Sequence, residues 1–559
     1  MNGGSRSLRW PGAFALLLAA GAFAWLAGGL GRGLELTDEA YYLLYAIHAR
    51  QIQLFFSPFH WVIGPLWEAT GSLVAFRAAG LLLSVLGAAV LAAGVLRAAA
   101  RVGLPVPDDR IGRAAVIATA VCGALLYGSL LNFTPSYNLM ATIFGSLAIG
   151  LGLLSISAHG RRAVLLALAA GASVGLCFLS KVTSGICVAA MLAILWLALA
   201  QGRARANAAW AALAAAGTVL AMAQAWGGIG QALAQLRGGV EIWSLATDNR
   251  SASGQLLRSA SDLARMLAGA VTAFWGPLAC FALALRLPFA RLLRWAGALW
   301  FVAVLLAGAH FQGGSDAFTS QAQPLTAALL LALLAWLPAW THDLRRLVLV
   351  AMLAGLPAAI AIGTSNPLEV QVLSAMAPWG ALVALFGFAR PGLGAATAVS
   401  IAFSLTVCGQ IATSGLQPYR MLPLAWQKEA IALPRLGSVR VDAATATLAR
   451  QLREAATVCG VRPAQPFMDL YDAPGLALLL DANPLVGPWL NNADTASRLL
   501  ARAAPDELRQ AVVAVRRRAD GGPAVAPTQI AAFPQGYRLC GTSHWPTDGA
   551  RVELWAPQP

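Results

Sequence analysis

The chain has 559 residues, of which 58% are hydrophobic and only 11% charged, and its mean hydropathy of +0.67 excludes an ordinary soluble globule. A formal net charge of +15 would suit nucleic acid, but the basic residues stand singly and in pairs between apolar runs, so no nucleic-acid partner is expected. A polytopic α-helical membrane protein is the class that remains.

In chain order, Arg6 and Arg9 precede an apolar run over 11–31. Ala22-Phe23-Ala24 offers a site for signal peptidase, yet the run continues apolar through Leu30, which favours an uncleaved first helix. Further apolar runs at 71–96, 114–131, 139–157, 163–180, 184–200, 207–227, 264–285, 295–310, 324–339, 347–363, 372–389 and 393–413 bring the expected count to about 13 spans. Alternate connections are rich in Arg, among them Arg97/Arg101/Arg110/Arg113, Arg161/Arg162, Arg286/Arg291/Arg294 and Arg345/Arg346. Those connections are read as cytoplasmic, with the N-terminus on the same side. An odd number of spans then puts everything after about 413 outside.

The division expected is a transmembrane catalytic domain over 1–413, with a first outer loop over about 32–70, and an α/β domain over 414–559. In the latter, Pro466-Phe467-Met468-Asp469-Leu470-Tyr471 reads as a strand and 444–456 as a helix. Five cysteines lie inside apolar runs and read as small core residues. Cys459 and Cys540 lie in the polar outer segment, where oxidation to a disulfide is expected.

Asp38 and Glu39 directly follow the first span. A carboxylate at bilayer depth costs roughly 2.5–3.5 kcal/mol, and an adjacent acidic pair repels itself even at the interface. Such a pair is retained where it takes a proton, holds a cation or binds a metal. The plain alternative is that both are solvated residues at the start of a helix, with Thr37 or Asp38 as its cap.

The segment Asp38-Glu39-Ala40-Tyr41-Tyr42 resembles the first-loop motif of the GT-C glycosyltransferase superfamily, and within it the type of protein O-mannosyltransferases and lipid A aminoarabinose transferases. Pro65-Leu66 followed by Arg77-Ala78-Ala79-Gly80, then Pro135-Ser136-Tyr137-Asn138 and Phe178-Leu179-Ser180-Lys181, are similar to segments of that family in the same order. The resemblance implies an enzyme of a bacterial inner membrane that moves a sugar from a polyprenyl-phosphate donor to a periplasmic glycan, lipid or protein acceptor, with inversion. It implies Asp38 as general base and Glu39 as a second catalytic group, the two together holding a divalent metal cation as in some relatives. The donor phosphate then needs cations, for which Lys181, Arg77, His60 and Arg250 are the candidates. Members often carry a Lys or His before the Pro-Leu step, and here only His60 is present.

Each candidate has a plainer reading. Lys181 would also serve as an interfacial anchor that snorkels. Tyr137 and Asn138 sit in a Pro-Ser-Tyr-Asn turn, and Asn366 and Glu369 in a polar turn, yet with Tyr41 and Tyr42 they are the groups expected to contact sugar. A lipid-linked oligosaccharide ligase or polymerase is the alternative enzyme, resting on Arg237, Arg250 and Arg258, but it leaves the acidic pair unexplained. A transporter would place ionisable residues at mid-span, and here they stand at span ends.

Overall fold

The structure is a computed structural model that describes residues 9–52, 57–246, 252–307, 317–363, 366–389, 394–470, 473–487, 493–517 and 533–558. The first helices are α1 (Arg9–Gly29), α2 (Asp38–Ile47), α3 (His60–Thr70), α4 (Leu73–Arg101), α5 (Arg110–Leu125) and the short α6 (Gly128–Leu131). Then come α7 (Tyr137–Ser157), α8 (Gly160–Ser180), α9 (Val182–Leu199), α10 (Arg203–Ala225), α11 (Ile229–Ala246), α12 (Ala252–Ala273) and α13 (Trp275–Leu283). The bundle closes with α14 (Ala290–Ala307), α15 (Ala317–Ala335), α16 (Leu337–Thr341), α17 (Leu344–Ala361), α18 (Leu368–Val372), α19 (Ala377–Phe388) and α20 (Ala395–Leu416).

Among the described residues nine helices are long and apolar enough to cross a membrane, or up to 11 if two bent pairs each make one span. The bends are 79° between α12 and α13 and 61° between the α18 segment and α19. Two of the expected spans fall short. The run over 114–131 is helical only to Leu125 in α5, and the run over 324–339 breaks at Trp336 between α15 and α16. Small residues let the helices pack closely, as the bilayer offers no hydrophobic drive between them. A methyl group on Gly94 of α4 would lie 2.5 Å from the carbonyl oxygen of Gly150 in α7.

After α20 come the hairpin β1 (Glu429–Leu433) and β2 (Gly437–Val441), then α21 (Ala443–Val458), β3 (Pro466–Leu470), α22 (Gly475–Leu480) and β4 (Asn483–Pro484). The chain continues with α23 (Ala493–Leu500), α24 (Pro505–Gln510), β5 (Val512–Arg516), β6 (Tyr537–His544) and β7 (Arg551–Pro557). The five-stranded sheet has the order β4-β3-β5-β7-β6. β3 is parallel to β4 and β5, while β7 is antiparallel to β5 and β6. The strand and helix anticipated at 466–471 and 444–456 are β3 and α21. The chain is therefore a polytopic helical membrane protein that carries a C-terminal α/β unit.

That unit clasps the first loop through backbone hydrogen bonds. Gly33 N–H donates to the Arg440 carbonyl at 2.8 Å, and Arg440 N–H donates to that of Gly31 at 2.9 Å. Gly475 N–H donates to the Leu36 carbonyl at 2.8 Å, and Leu73 N–H at the start of α4 donates to that of Leu436 at 3.0 Å. A side chain on Gly475 would run into the Leu36 backbone, which accounts for glycine there.

Cys459, just past α21, is joined by a disulfide to Cys540 on β6. It closes a loop with a sequence separation of 81 residues, a constraint on the unfolded chain worth about 4 kcal/mol in the loop-entropy account. In native membranes both thiols are expected to stay unlabelled by maleimide until reductant is added. Full labelling without reductant would contradict the pairing.

Candidate active site

Glu35, not Thr37, supplies the cap of α2. Thr37 occupies the capping position without a side-chain bond into the helix. Glu35 Oε2 accepts from Glu39 N–H at 2.7 Å, and Glu39 Oε2 in return accepts from Glu35 N–H at 3.0 Å. The other oxygen of Glu35 accepts from Thr37 N–H at 2.8 Å and from the Thr37 hydroxyl. Burial, reinforced by the nearby charge of Asp38, raises the Glu35 carboxyl from near 4.5 to about 8 against the pull of these donors.

A folded-state value above the unfolded one favours folding fully below about pH 4.5 and loses that contribution as pH rises through about 8. The purified protein is thus expected to lose thermal stability between pH 5 and 8.5, and Glu35→Gln to flatten that slope. Parallel profiles would overturn the assignment.

Glu39 and Arg77 are both fully buried. Arg77 Nε donates to Glu39 Oε1 at 2.8 Å and Arg77 Nη2 to Oε2 at 2.7 Å. The remaining guanidinium donors reach the carbonyls of Leu30 at 2.7 Å and Gly33 at 2.9 Å, and the Thr134 hydroxyl also bonds Glu39. This corrects two expectations. Arg77 has its donors occupied by protein and does not face a donor phosphate, and Glu39 joins α2 to α4 instead of sharing the chemistry. Nor do the two carboxylates fit a metal ion, since both oxygens of Glu39 are engaged; among the described residues no three His, Cys, Asp or Glu side chains come together.

Asp38 is different. It is half-buried, its Oδ2 accepts from the Tyr419 hydroxyl at 3.0 Å, and the same oxygen lies 3.5 Å from Arg420 Nη1. Arg420 Nη1 also donates to Thr37 Oγ1 at 2.7 Å, and the guanidinium lies 4.9 Å from the Tyr419 ring centroid. The Arg420 side chain is 40% exposed. Burial and the charge of Asp38 together push the Tyr419 phenol well above its ordinary range, so it stays a donor. Sequence reasoning missed Tyr419 and Arg420, which come beside Asp38 only where the chain leaves α20.

The other candidates divide. Tyr41, Tyr42, Tyr45, Phe59 and Tyr137 form an aromatic cluster, with Tyr42 and Tyr137 ring centroids 5.7 Å apart in an edge-to-face arrangement. Tyr137 and Asn138 are half-buried in the first turn of α7, whose cap is Ser136 Oγ, accepting from Leu139 N–H at 3.1 Å. His60 is buried among Phe59, Tyr45, Trp61 and Trp226, and burial lowers its imidazole to about 3. It is neutral at physiological pH, which corrects its expected role as a cation for phosphate.

Lys181 is also buried. Its ammonium donates to the carbonyls of Ile360 at 3.0 Å and Ala361 at 2.9 Å, the negative end of α17. It fastens the α8–α9 junction to α17, so the expected phosphate contact gives way to a structural one. Asn366 is exposed and Glu369 half-buried at the start of α18, where Leu368 N–H donates to Asp262 Oδ2 at 3.0 Å. Arg250 lies outside the described residues.

Between α1, α6 and α20 a narrow groove lined by Trp25, Leu26, Asn132, Phe133 and Tyr419 reaches the same place. α1 and α20 both end near this groove, beside Asp38.

No protein-family model matches the sequence, and no curated protein matches it. Two solved structures are similar along nearly the whole chain, each covering 97% of it and 98% of its own length. They are ArnT from Cupriavidus metallidurans in the apo state, at 13% identity and a TM-score of 0.38, and the same protein bound to undecaprenyl phosphate, at 12% and 0.37. At that identity and score the similarity assigns neither an activity nor residue roles.

Proposed function

We propose that this protein is a membrane glycosyltransferase that moves a sugar from a polyprenyl-phosphate donor to an acceptor hydroxyl at the face of the membrane bearing the C-terminal unit. With the Arg-rich connections inside, that face is the periplasmic side of a bacterial inner membrane. One observation carries the reading: at the start of α2 a half-buried carboxylate, Asp38, stands beside an exposed guanidinium, Arg420, whereas the expected phosphate ligands Arg77, His60 and Lys181 are buried.

The chemistry asks for these two groups. The acceptor hydroxyl attacks the anomeric carbon while its proton passes to Asp38, the bond from that carbon to the phosphate oxygen breaks, and the electron pair leaves on the phosphate. A single displacement inverts the anomeric centre. The leaving phosphate needs positive charge more than a proton, and Arg420 supplies it in charge-assisted hydrogen bonds. As Arg420 turns to the phosphate it uncovers the oxygen of Asp38 that it now faces. The order of the Asp-Glu-Ala-Tyr-Tyr, Pro-Leu and Pro-Ser-Tyr-Asn segments supports the same reading.

Deletion of the protein, followed by mass analysis of lipid-linked sugars and envelope glycans, tests it. An accumulated polyprenyl-phosphate sugar and one missing modification are expected, and an unchanged profile would overturn it. Arg420→Gln is expected to lower kcat/KM for the donor by about 10- to 150-fold, the equivalent of the roughly 1.5–3 kcal/mol of a hydrogen bond to a charged group. Arg420→Lys should restore part of that loss. Unaltered donor kinetics in a folded Arg420→Gln protein would remove Arg420 from the phosphate.

A further inference from the structure

A cavity far roomier than the groove beside Tyr419 lies away from the carboxylates. It lies at the start of α20, a helix of 22 residues that spans about 33 Å at 1.5 Å per residue, so it opens near the opposite face from Asp38. Its volume is about 900 Å³, within the range of pockets that hold a ligand.

The lining separates into two kinds of surface. Arg291 and Arg294 of α14 stand on one side, and the first turn of α20, Ala395 to Thr397, stands on another. First-turn amides of a helix have no acceptor within it, and its dipole places partial positive charge there. The remaining wall is apolar and aromatic, with Trp295 and with Trp336, which is stacked on the buried Phe386. Trp336 is held in place by its indole N–H, which donates to the Phe386 carbonyl at 2.8 Å. Two arginines, a positive helix end and two tryptophans at a span terminus are what an anionic headgroup with apolar chains requires.

We propose that this cavity binds an anionic phospholipid of the leaflet opposite the carboxylates. Its phosphate sits between Arg291, Arg294 and the first-turn amides of α20, and an acyl chain lies along Trp295 and Trp336. The inference rests on the membrane-spanning fold alone and stands whatever reaction Asp38 performs.

The full-length protein, purified in detergent and stripped of lipid, tests this by native mass spectrometry and thermal unfolding with added phosphatidylglycerol, phosphatidylcholine or inorganic phosphate. Phosphatidylglycerol is expected to be retained at one molecule per chain and to raise the unfolding temperature, with the other two probes far weaker. The double variant Arg291→Gln/Arg294→Gln should retain it at least tenfold less, with its disulfide and helix content unchanged. Ala396→Phe, which fills the cavity without altering a charge, should displace the lipid as well and serves if the double variant fails to fold. Equal retention of phosphatidylcholine, equal stabilisation by inorganic phosphate, or full retention of phosphatidylglycerol by Ala396→Phe would each overturn the proposal.

Discussion

Asp38→Asn is expected to cut sugar transfer by about 10²- to 10⁴-fold, the range associated with loss of a positioned general base, while the protein still inserts and folds. The amide keeps an oxygen to accept from Tyr419, and the pair with Arg420 is partly exposed, where an ion pair contributes about 0–1 kcal/mol to stability. Transfer by purified protein in vesicles and the unfolding temperature in detergent check the two halves separately. A folded Asp38→Asn protein that transfers sugar at the normal rate would sink the mechanism.

Its neighbour should behave in the opposite way. Arg77→Met leaves the Glu39 carboxylate buried without its cation, which costs about 3–5 kcal/mol, and is expected to lower the unfolding temperature sharply and reduce the amount of monodisperse protein. Combining it with Glu39→Gln removes the uncompensated charge and should recover much of the stability. An unaltered unfolding temperature for Arg77→Met would show that the pair does not hold α2 on α4. Two adjacent carboxylates would thus separate by assay, Asp38 in turnover and Glu39 in stability.

That separation was open to a stricter reading of the sequence. Successive residues of a helix point about 100° apart, so once 38–47 is a helix its first two carboxylates cannot serve one spot. The apolar runs made the bundle legible because a bilayer demands them, and the count of spans departs at 114–131 and 324–339, where the helices stop at Leu125 and Ala335 inside an apolar run. The partners of Asp38 were not legible, because Tyr419 and Arg420 meet it only through the closing of the whole bundle. Lys181 misled for a related reason: an ammonium at the end of an apolar run looks exposed until the carbonyls of Ile360 and Ala361 are brought to it. Periodicity reports which face is apolar, and it is silent on which buried charge finds which acceptor.

The clasp of the C-terminal unit on the first loop, with Tyr419 on Asp38, fixes when the site can exist. Asp38 enters the membrane among the first residues made, and the hydroxyl that holds it follows 381 residues later. At roughly 5–20 residues per second that is a wait of about 20–75 s. Throughout insertion the carboxylate stands without its partners, and the contacts from Arg440 and Gly475 that shape the loop come later still. A chain released early therefore carries Asp38 but no assembled centre, so a truncated product left in the membrane would be inert toward the lipid donors around it.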